Sequence, residues 1–473
     1  MTDTERSLRV HAARGAAWSA VSSIILRLGS LIVGIVLARL LTPEQFGVYA
    51  VALTVQSILM TVADLGLSSD LIRSDEPEKI APTIATLGLV SGATMTFITA
   101  ATSTSLAQLM GSPEAAPAIS VLAFTLVLGS ISLVPYSMLM RRFQQRAMFL
   151  VGAVDFVIST TVTLTLVFLG FGVMGLAIGR VTAQIVSSTL QFFLAGVRPR
   201  YGLDRTRLKP ILAFGLPIAT ANLLAWGLLN VDNVILARMV GVTALGYYVL
   251  AFNVSSWPMN ALSQSVRAIS MPYFSRAESP SSGLATVVAI GWAGALPAGG
   301  VLAVLSAPLI SVLYGDKWLA AAPVLAALGV YGALRVIFDI FTGFLYARGR
   351  AQPVLWIQVL WLVALVIGMI IVIGPFGIVG AGWVHVIVAA GVVLPAYLIV
   401  LRQSGIQVMP FVRRSIWPTA AAIAAVGVAI PCAAFIDEPL LALLVGGFSA
   451  VGVYIALVWP WAWREWRRIR PER

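Results

Sequence analysis

Long apolar stretches follow one another along almost the whole chain, separated by short polar or charged segments. Each stretch holds roughly 20 residues or more, enough for an α-helix rising about 1.5 Å per residue to cross a hydrocarbon layer about 30 Å thick. No stretch of about ten residues alternates apolar and polar positions with period two, as a membrane β-barrel strand must. Since backbone polar groups must be paired inside a membrane, the pattern predicts an all-α, polytopic integral membrane protein.

Apolar runs bounded by charged residues, Pro or Gly predict fourteen transmembrane helices. The predicted spans are 17–41, 46–67, 81–109, 116–140, 148–169, 173–195, 211–238, 244–270, 284–313, 319–345, 353–373, 377–401, 416–436 and 439–460.

Composition agrees with this pattern. Hydrophobic residues make up 59% of the chain and charged residues 11%, with a mean hydropathy of +0.95, whereas soluble proteins carry about 25% charged residues. Cys432 is the only cysteine, which excludes a disulfide within the chain. His11 and His385 are too far apart for a compact metal motif. The sequence therefore predicts no metal site, no cofactor and no catalytic residues.

The basic residues show how the spans are oriented. With fourteen spans, 24 of the 31 Lys and Arg residues fall in loops on one side of the membrane. Cytoplasmic loops carry such an excess, so both termini are predicted to lie in the cytoplasm, with the chain in the cytoplasmic membrane. The net charge of +12 is thus explained by loops between spans, and no nucleic-acid partner is expected.

The second half of the chain repeats the first. A shift of 199 positions gives nine identities over the 24 positions from Leu37 to Met60. Repeats separated by six spans run in the same direction, an arrangement known among secondary transporters. The predicted organisation is two six-helix lobes followed by two further helices. Its boundaries are an N-terminal lobe at 1–195, a basic cytoplasmic linker at 196–210, a C-terminal lobe at 211–401, and two extra spans with a basic tail at 402–473.

The repeated segments also carry a family resemblance. VLARLLTPEQFGVYAVALTV at 36–55, with its second copy ILARMVGVTALGYYVLAFNV at 235–254, resembles the signature of polysaccharide exporters in the multidrug/oligosaccharidyl-lipid/polysaccharide superfamily. LYGDKW at 313–318 and LYARGR at 345–350 fit the same family. The resemblance implies a flippase that carries polyprenyl-diphosphate-linked oligosaccharides to the outer leaflet for capsule, O-antigen or exopolysaccharide assembly. It also implies alternating access of a central cavity.

Other functions are also compatible with the sequence. A cation-coupled drug extruder and a lipid II flippase belong to the same superfamily. A positive cavity would favour a diphosphate substrate, and a negative cavity would favour a drug. A polymerase or ligase is less consistent with the chain, because outer loops such as GSPEAAP and IDEP are too short to build its site. The expected partners are the lipid-linked glycan and membrane lipids, with a polysaccharide polymerase and glycosyltransferases as further candidates.

Charged and polar side chains within spans are the candidate substrate residues, because such groups are costly unless they face a cavity or a partner. Arg27 and Arg335 fall near the middle of their spans, where guanidinium groups could bind a diphosphate. Arg267 and Gln264 would lie at the cytoplasmic mouth of span eight, and Asn230 forms a polar patch in span seven. The alternative is that these residues join helices through ion pairs or backbone contacts.

Three acids are candidates for binding a coupling proton or sodium ion, namely Asp64, Asp232 and Asp339. Asp339 lies one helical turn after Arg335, so these two residues are expected to pair when substrate is absent.

Other charged residues receive structural interpretations. Arg180 is expected to pair with Asp155 or to extend toward the membrane surface. Arg39 and Arg238 occupy equivalent repeat positions, and both are expected to bond carbonyl groups at helix C-termini.

Overall fold

The computed structural model describes residues 25–198, 200–274 and 280–469, and these residues contain helices and no β-strand. The chain forms two compact units, Met1–Gly246 and Tyr247–Arg473. Helices of the first unit are α1 (25–40), α2 (Pro43–Asp64), α3 (Leu67–Arg73), α4 (Pro77–Ala101), α5 (Ser103–Leu109), α6 (Ala116–Ile131), α7 (Leu133–Arg141), α8 (Gln145–Phe168), α9 (Gly172–Ala195) and α10 (Arg205–Met239).

The second unit begins inside α11. Its helices are α11 (Val242–Phe274), α12 (Pro280–Val304), α13 (Ser306–Tyr314), α14 (Ala322–Ala347), α15 (Ala351–Val388), α16 (Leu394–Gln403), α17 (Met409–Phe435) and α18 (Pro439–Ile469). Within the first unit, α2 packs against α4, α6, α9 and α10. Within the second unit, α12 packs against α14 and α17, and α17 packs against α18.

The predicted all-α, polytopic membrane class is confirmed, and the number of fourteen spans stays a prediction. Among the described residues, eleven helices are long and apolar enough to cross a membrane. One of them, Ala351–Gln403, has 53 residues, about twice the length that a single crossing needs. Gly377 interrupts it with a φ of 55° and a ψ of −144°. This backbone conformation suits glycine, and it lies at the start of predicted span 377–401.

Several predicted spans are divided into two helices. Predicted span 116–140 is divided between α6 and α7, and predicted span 284–313 is divided between α12 and α13. Proline lacks an N–H, and its ring collides with the carbonyl four residues earlier. That earlier residue is Ile131 for Pro135 and Val304 for Pro308, and each is the last residue of its helix. The two prolines therefore account for both breaks.

The first residues of α2 and α10 are fixed by capping side chains. Thr42 and Gln45 form a capping box at the start of α2, in which the Gln45 N–H donates to Thr42 Oγ1 over 3.2 Å and the Thr42 N–H donates to Gln45 Oε1 over 3.1 Å. Asp204 caps α10, where its Oδ1 accepts from the Thr206 N–H over 3.0 Å. As a result α10 begins before predicted span 211–238, and residues 205–210 of the predicted linker are helical.

Two glycines at equivalent repeat positions make a close reciprocal contact. A Cβ on Gly47 would overlap the carbonyl oxygen of Val242, and a Cβ on Gly246 would overlap the carbonyl oxygen of Pro43. Both pairs obey the 199-residue shift of the sequence repeat. Glycine is required at both positions because the two backbones approach too closely for any side chain. The division into lobes at 196–210 stays a prediction.

Candidate functional site

A cavity of about 670 Å³ lies inside the first unit. We call it the polar cavity. It is lined by residues of α2, α3, α6, α7, α9 and α10, and many of them carry amide or hydroxyl groups. The lining residues that matter most here are Gln56, Asp64, Arg180, Gln184, Gln191 and Trp226.

Some of these polar groups are already held by neighbours. Gln56 Nε2 donates to Thr125 Oγ1 over 2.9 Å, and Gln184 Nε2 donates to Ser188 Oγ over 3.2 Å. These contacts fix the orientation of both amides. Each carbonyl oxygen can accept a further hydrogen bond, because an amide oxygen has two lone pairs.

Two other groups have no hydrogen-bond partner in the described part of the chain. They are Gln191 Oε1, an acceptor, and Trp226 Nε1, a donor. Gln191 is only 7% exposed, so an unmet acceptor there has a real free-energy cost. Both residues line the polar cavity. The two atoms themselves are shielded from solvent, so a ligand hydroxyl, which can both donate and accept, would reach them only after the lining moves.

The charges around the polar cavity nearly cancel. Arg180 Nη1 lies 3.0 Å from Asp155 Oδ2, and Ser187 Oγ donates to Asp155 Oδ1 over 3.1 Å. The predicted pairing of Arg180 with Asp155 is thereby confirmed. Asp64 is the acid that lines the cavity, and its Oδ2 accepts from Ser68 Oγ over 3.1 Å. The cavity is therefore neither the strongly positive site expected for a diphosphate nor the negative site expected for a cationic drug.

Among the predicted site residues of the first unit, Asp64 lies in the polar cavity and Asn230 lies close to its lining along α10. Asn222 and Trp226 line the cavity, and Asn230 follows Trp226 by one turn on the same face. Asn230 Nδ2 donates to the Trp226 carbonyl over 3.0 Å. Asp232 is about 200° further round the helix, is 3% exposed, and accepts the Asn233 N–H over 2.9 Å.

Arg27 lies on α1 with an exposed side chain. Its carbonyl accepts from Ser30 Oγ over 2.9 Å. The Cα of Gly29, two residues later, lies against the ring of Phe156, which brings α1 alongside α8. The polar-cavity lining does not include Arg27.

The remaining predicted site residues belong to the second unit. Arg335 and Asp339 are both half-buried on α14, and Gln264 is exposed on α11. Within the described residues, Arg335 and Asp339 do not form an ion pair with each other. Their spacing allows a pair, but long side chains on one helical face can also point apart. The backbone of Arg267 lies in α11, and its side chain is outside the described part of the structure.

Four lining residues of the polar cavity were not predicted as site residues from the sequence, namely Gln56, Gln184, Gln191 and Trp226. A signal for two of them was present, because Gln184 and Gln191 are seven residues apart in an apolar span and so share one helical face. A neutral amide is a weaker sequence signal than a charged side chain, although its burial in a membrane without a partner also costs free energy.

Known proteins show which family this architecture belongs to. A family model described as "Polysaccharide biosynthesis protein" matches residues 36–323. The chain belongs to this family. The matched range includes both copies of the repeated signature, at 36–55 and 235–254, on which the resemblance was based. The predicted membership in a polysaccharide exporter family is therefore confirmed.

Two curated relatives and one solved structure agree. The lipopolysaccharide biosynthesis protein WzxC of Escherichia coli (strain K12) is 25% identical over 360 residues, 73% of this chain and 72% of WzxC. The succinoglycan biosynthesis transport protein ExoT of Rhizobium meliloti (strain 1021) is 25% identical over 68% of this chain and 66% of ExoT. The inward closed conformation of the lipid II flippase MurJ superposes with a TM-score of 0.77 at 14% identity, covering 93% of this chain and 98% of MurJ. The last comparison concerns the fold alone.

Proposed function

We propose that this member of the polysaccharide biosynthesis family is a flippase for polyprenyl-diphosphate-linked oligosaccharides. In this proposal it moves repeat units from the inner to the outer leaflet of the cytoplasmic membrane by alternating access. The observation that carries the proposal is the polar cavity, whose lining offers amides, hydroxyls and an indole with almost no net charge. Such groups suit a sugar, which presents many neutral hydroxyl groups and apolar ring faces.

The topology of the proposal has fourteen spans with both termini in the cytoplasm. Eleven helices support it directly by length and composition. The 53-residue helix with its kink at Gly377 is long enough for two crossings. In this proposal α1 and the 33-residue α11 would form the remaining two spans.

The diphosphate and the coupling ion would bind residues other than the amides, hydroxyls and indole of the polar cavity. Arg27 and Arg335 are proposed as diphosphate ligands, because guanidinium groups stay charged and match phosphate oxygens bidentately. Gln264 and Arg267 are proposed at the cytoplasmic mouth of α11, and Asn230 beside the polar cavity. Asp64, Asp232 and Asp339 are proposed to take the proton or sodium ion, and Asp64 is the one that lines the polar cavity.

The proposal is tested in cells that lack this chain. We expect lipid-linked repeat units to accumulate on the inner leaflet and the surface polysaccharide to be lost. Both defects should be reversed by the wild-type chain. Unchanged surface polysaccharide together with unchanged lipid intermediates would reject the flippase function. Accumulation of lipid II instead would identify the alternative substrate within the superfamily.

A further inference from the structure

A second cavity of the first unit, of about 420 Å³, differs from the polar cavity in the charge of its lining. It lies where α4 begins and α7 and α9 end, and it is completed by residues Val197, Arg198, Arg200 and Tyr201. We call it the basic cavity. Arg142, Arg198 and Arg200 line it together with one acid, Glu78. Part of its lining is apolar, with Val134, Met138 and Phe192 among the contributors, and we call this part the apolar floor.

The arginines of the basic cavity keep most of their hydrogen-bond donors available. Arg142 Nη1 donates to the Ala195 carbonyl over 2.7 Å, which uses one of five N–H groups. Within the described part of the chain, Arg198 and Arg200 form no ion pair and no hydrogen bond. Three guanidinium groups and one carboxylate leave this cavity with an excess of positive charge.

Nearby acids do not neutralise this excess, because other cations hold them. Glu76 Oε1 lies 2.6 Å from Lys79 Nζ, and Glu76 Oε2 lies 3.7 Å from Arg207 Nη2. Asp204 Oδ2 lies 3.3 Å from Arg207 Nε. A ligand that completes the basic cavity must therefore bring its own negative charge.

The two cavities are lined by different residues of the same helices, α7 and α9. Gln191 and Tyr136 line the polar cavity, whereas Phe192 and Met138 line the basic cavity. Neighbouring positions on α9 and α7 thus face different cavities. The basic cavity is consequently a separate site from the cavity proposed to take the sugar.

We propose that the basic cavity binds the phosphate head group of an anionic glycerophospholipid of the membrane. The phosphate would contact Arg142, Arg198 and Arg200, and the upper part of the acyl chains would lie on the apolar floor. Arg198 follows α9 and Arg200 precedes α10, and both helices are able to span a membrane, so the arginines stand at a span end where head groups lie. The apolar floor favours a lipid over free phosphate. Separation from the polar cavity favours a bulk phospholipid over the glycan carrier.

A lipid bound in this way would fasten the connection between α9 and α10. Arg142 belongs to the end of α7, while Arg198 and Arg200 belong to the connecting segment. The same segment is held to α4 just beyond the cavity, where the Gly202 N–H donates to Thr86 Oγ1 over 2.9 Å and the Asp204 N–H donates to Thr83 Oγ1 over 3.1 Å. The phospholipid adds a second attachment on the other side of the segment.

The test uses the purified full chain in detergent and measures lipid binding by native mass spectrometry. Dioctanoylphosphatidylglycerol is the probe, and dioctanoylphosphatidylcholine, inorganic phosphate and undecaprenyl diphosphate are compared with it. In the double variant Arg198→Gln/Arg200→Gln we expect the dissociation constant for phosphatidylglycerol to rise about tenfold for each arginine removed, because a hydrogen bond to a charged group is worth about this factor. Thermal stability and elution volume should match the wild-type chain.

The matched control is Arg205→Gln/Lys209→Gln, which removes the same charge from the same region. Both control residues are exposed and lie outside the basic cavity, so phosphatidylglycerol binding should stay unchanged. Equal losses in the two double variants would overturn the proposal in favour of unspecific attraction to charge. Inorganic phosphate binding as tightly as phosphatidylglycerol would overturn the lipid assignment, as would arginine-dependent binding of undecaprenyl diphosphate alone. The assay measures no transport, so its failure leaves the flippase proposal standing.

Discussion

The two units of the chain differ in the surroundings of their buried polar groups. In the first unit, Gln191 and Trp226 place an acceptor and a donor without a protein partner in the lining of a cavity. In the second unit, two pairs of polar groups are joined inside an aromatic core, and Trp361 Nε1 has no hydrogen-bond partner among the described residues of that core. Tyr248 Oη lies 2.8 Å from His385 Nε2, and Thr342 Oγ1 lies 2.7 Å from Tyr397 Oη.

The aromatic core of the second unit is closely packed. The ring centroids of Tyr331 and His385 are 4.8 Å apart, and those of Phe338 and Tyr397 are 5.5 Å apart. Trp361 packs edge-on against Phe338 at 5.4 Å. Paired polar groups in such a core stabilise the protein, whereas unmet polar groups beside a cavity reduce stability and are suited to bind a ligand. On the proposed function we therefore expect ligand contact at Gln191 and Trp226, and structural stability from the paired groups Tyr248–His385 and Thr342–Tyr397.

The largest expected effect is a loss of transport without a loss of stability, produced by one substitution in the first unit. Gln191→Leu removes a buried acceptor that has no partner, so the Tm of the purified protein should be unchanged or higher. Transport should fall about tenfold, because the sugar loses a hydrogen bond in a site from which water is largely excluded. The measurement is the rate of glycan-lipid transport per inserted protein, together with the Tm in detergent.

Thr99→Val is the control for this prediction. Thr99 is 2% exposed, its Oγ1 has no hydrogen-bond partner among the described residues, and it is not part of the polar-cavity lining. The two variants should have similar effects on the Tm, but Thr99→Val should transport normally. A drop in transport for both variants would show that loss of any buried polar group impairs the protein.

In the second unit we expect a smaller effect of the opposite kind, namely a loss of stability with little loss of transport. Tyr248→Phe removes the hydroxyl that contacts His385 Nε2, and Tyr248 is fully buried at 0% exposure. The free energy of unfolding should fall by about 1–2 kcal/mol, which lowers the Tm by a few degrees. Transport per inserted protein should stay within about twofold, since a loss of stability that leaves most molecules folded changes little else. A strong transport defect at unchanged Tm would contradict the division between the units.

The smallest effect concerns pH and the start of α10. Hydrogen bonding and charge from Lys79, with a contribution from Arg207, lower the pKa of Glu76 below its usual 4.5. Hydrogen bonds from Thr206, with a contribution from Arg207, lower the pKa of Asp204 below its usual 3.8. In each case the unfolded chain binds more protons than the folded chain, so stability rises with pH through this range.

The stabilising contribution is therefore complete above about pH 5 and is lost as the pH falls through the lowered pKa values. Hydrogen exchange of the Gly202 and Asp204 amides should accelerate modestly in acid, after correction for the intrinsic rate. Because the carboxylates are exposed, salt should weaken the effect. The variant Glu76→Gln should be less sensitive to pH than the wild-type chain. Protection that does not change with pH in the wild-type chain would show that these ion pairs do not hold the segment.

The sequence predicted best those features that depend on one local rule. Hydrophobic length and flanking charges located α8 and α9 to within a few residues, because both helices follow simple apolar runs. The predicted bond from Arg238 to a carbonyl at a helix C-terminus is confirmed too, since its Nη1 donates to the carbonyl of Leu109 at the end of α5 over 3.0 Å. The interpretation of Arg39 stays a prediction.

Features that depend on contacts between distant segments were harder to predict. Pro135 and Pro308 were visible in the sequence, but a proline in a span can produce a kink or a break, and packing decides between them. The polar cavity combines side chains from six helices, so no single stretch of sequence reveals it. Gln191 and Trp226 are important because their partners are missing, and a missing partner can be recognised only in three dimensions.

The central claim is that the polar cavity of the first unit contacts the sugar part of a lipid-linked glycan. The most direct measurement compares two fluorescent substrates in proteoliposomes, a polyprenyl-diphosphate-linked oligosaccharide and the same polyprenyl diphosphate without sugar. Gln191→Leu should slow transport of the glycan-bearing lipid about tenfold and leave transport of the bare carrier unchanged relative to the wild-type chain. Equal slowing of both substrates, or no slowing of either, would contradict the account.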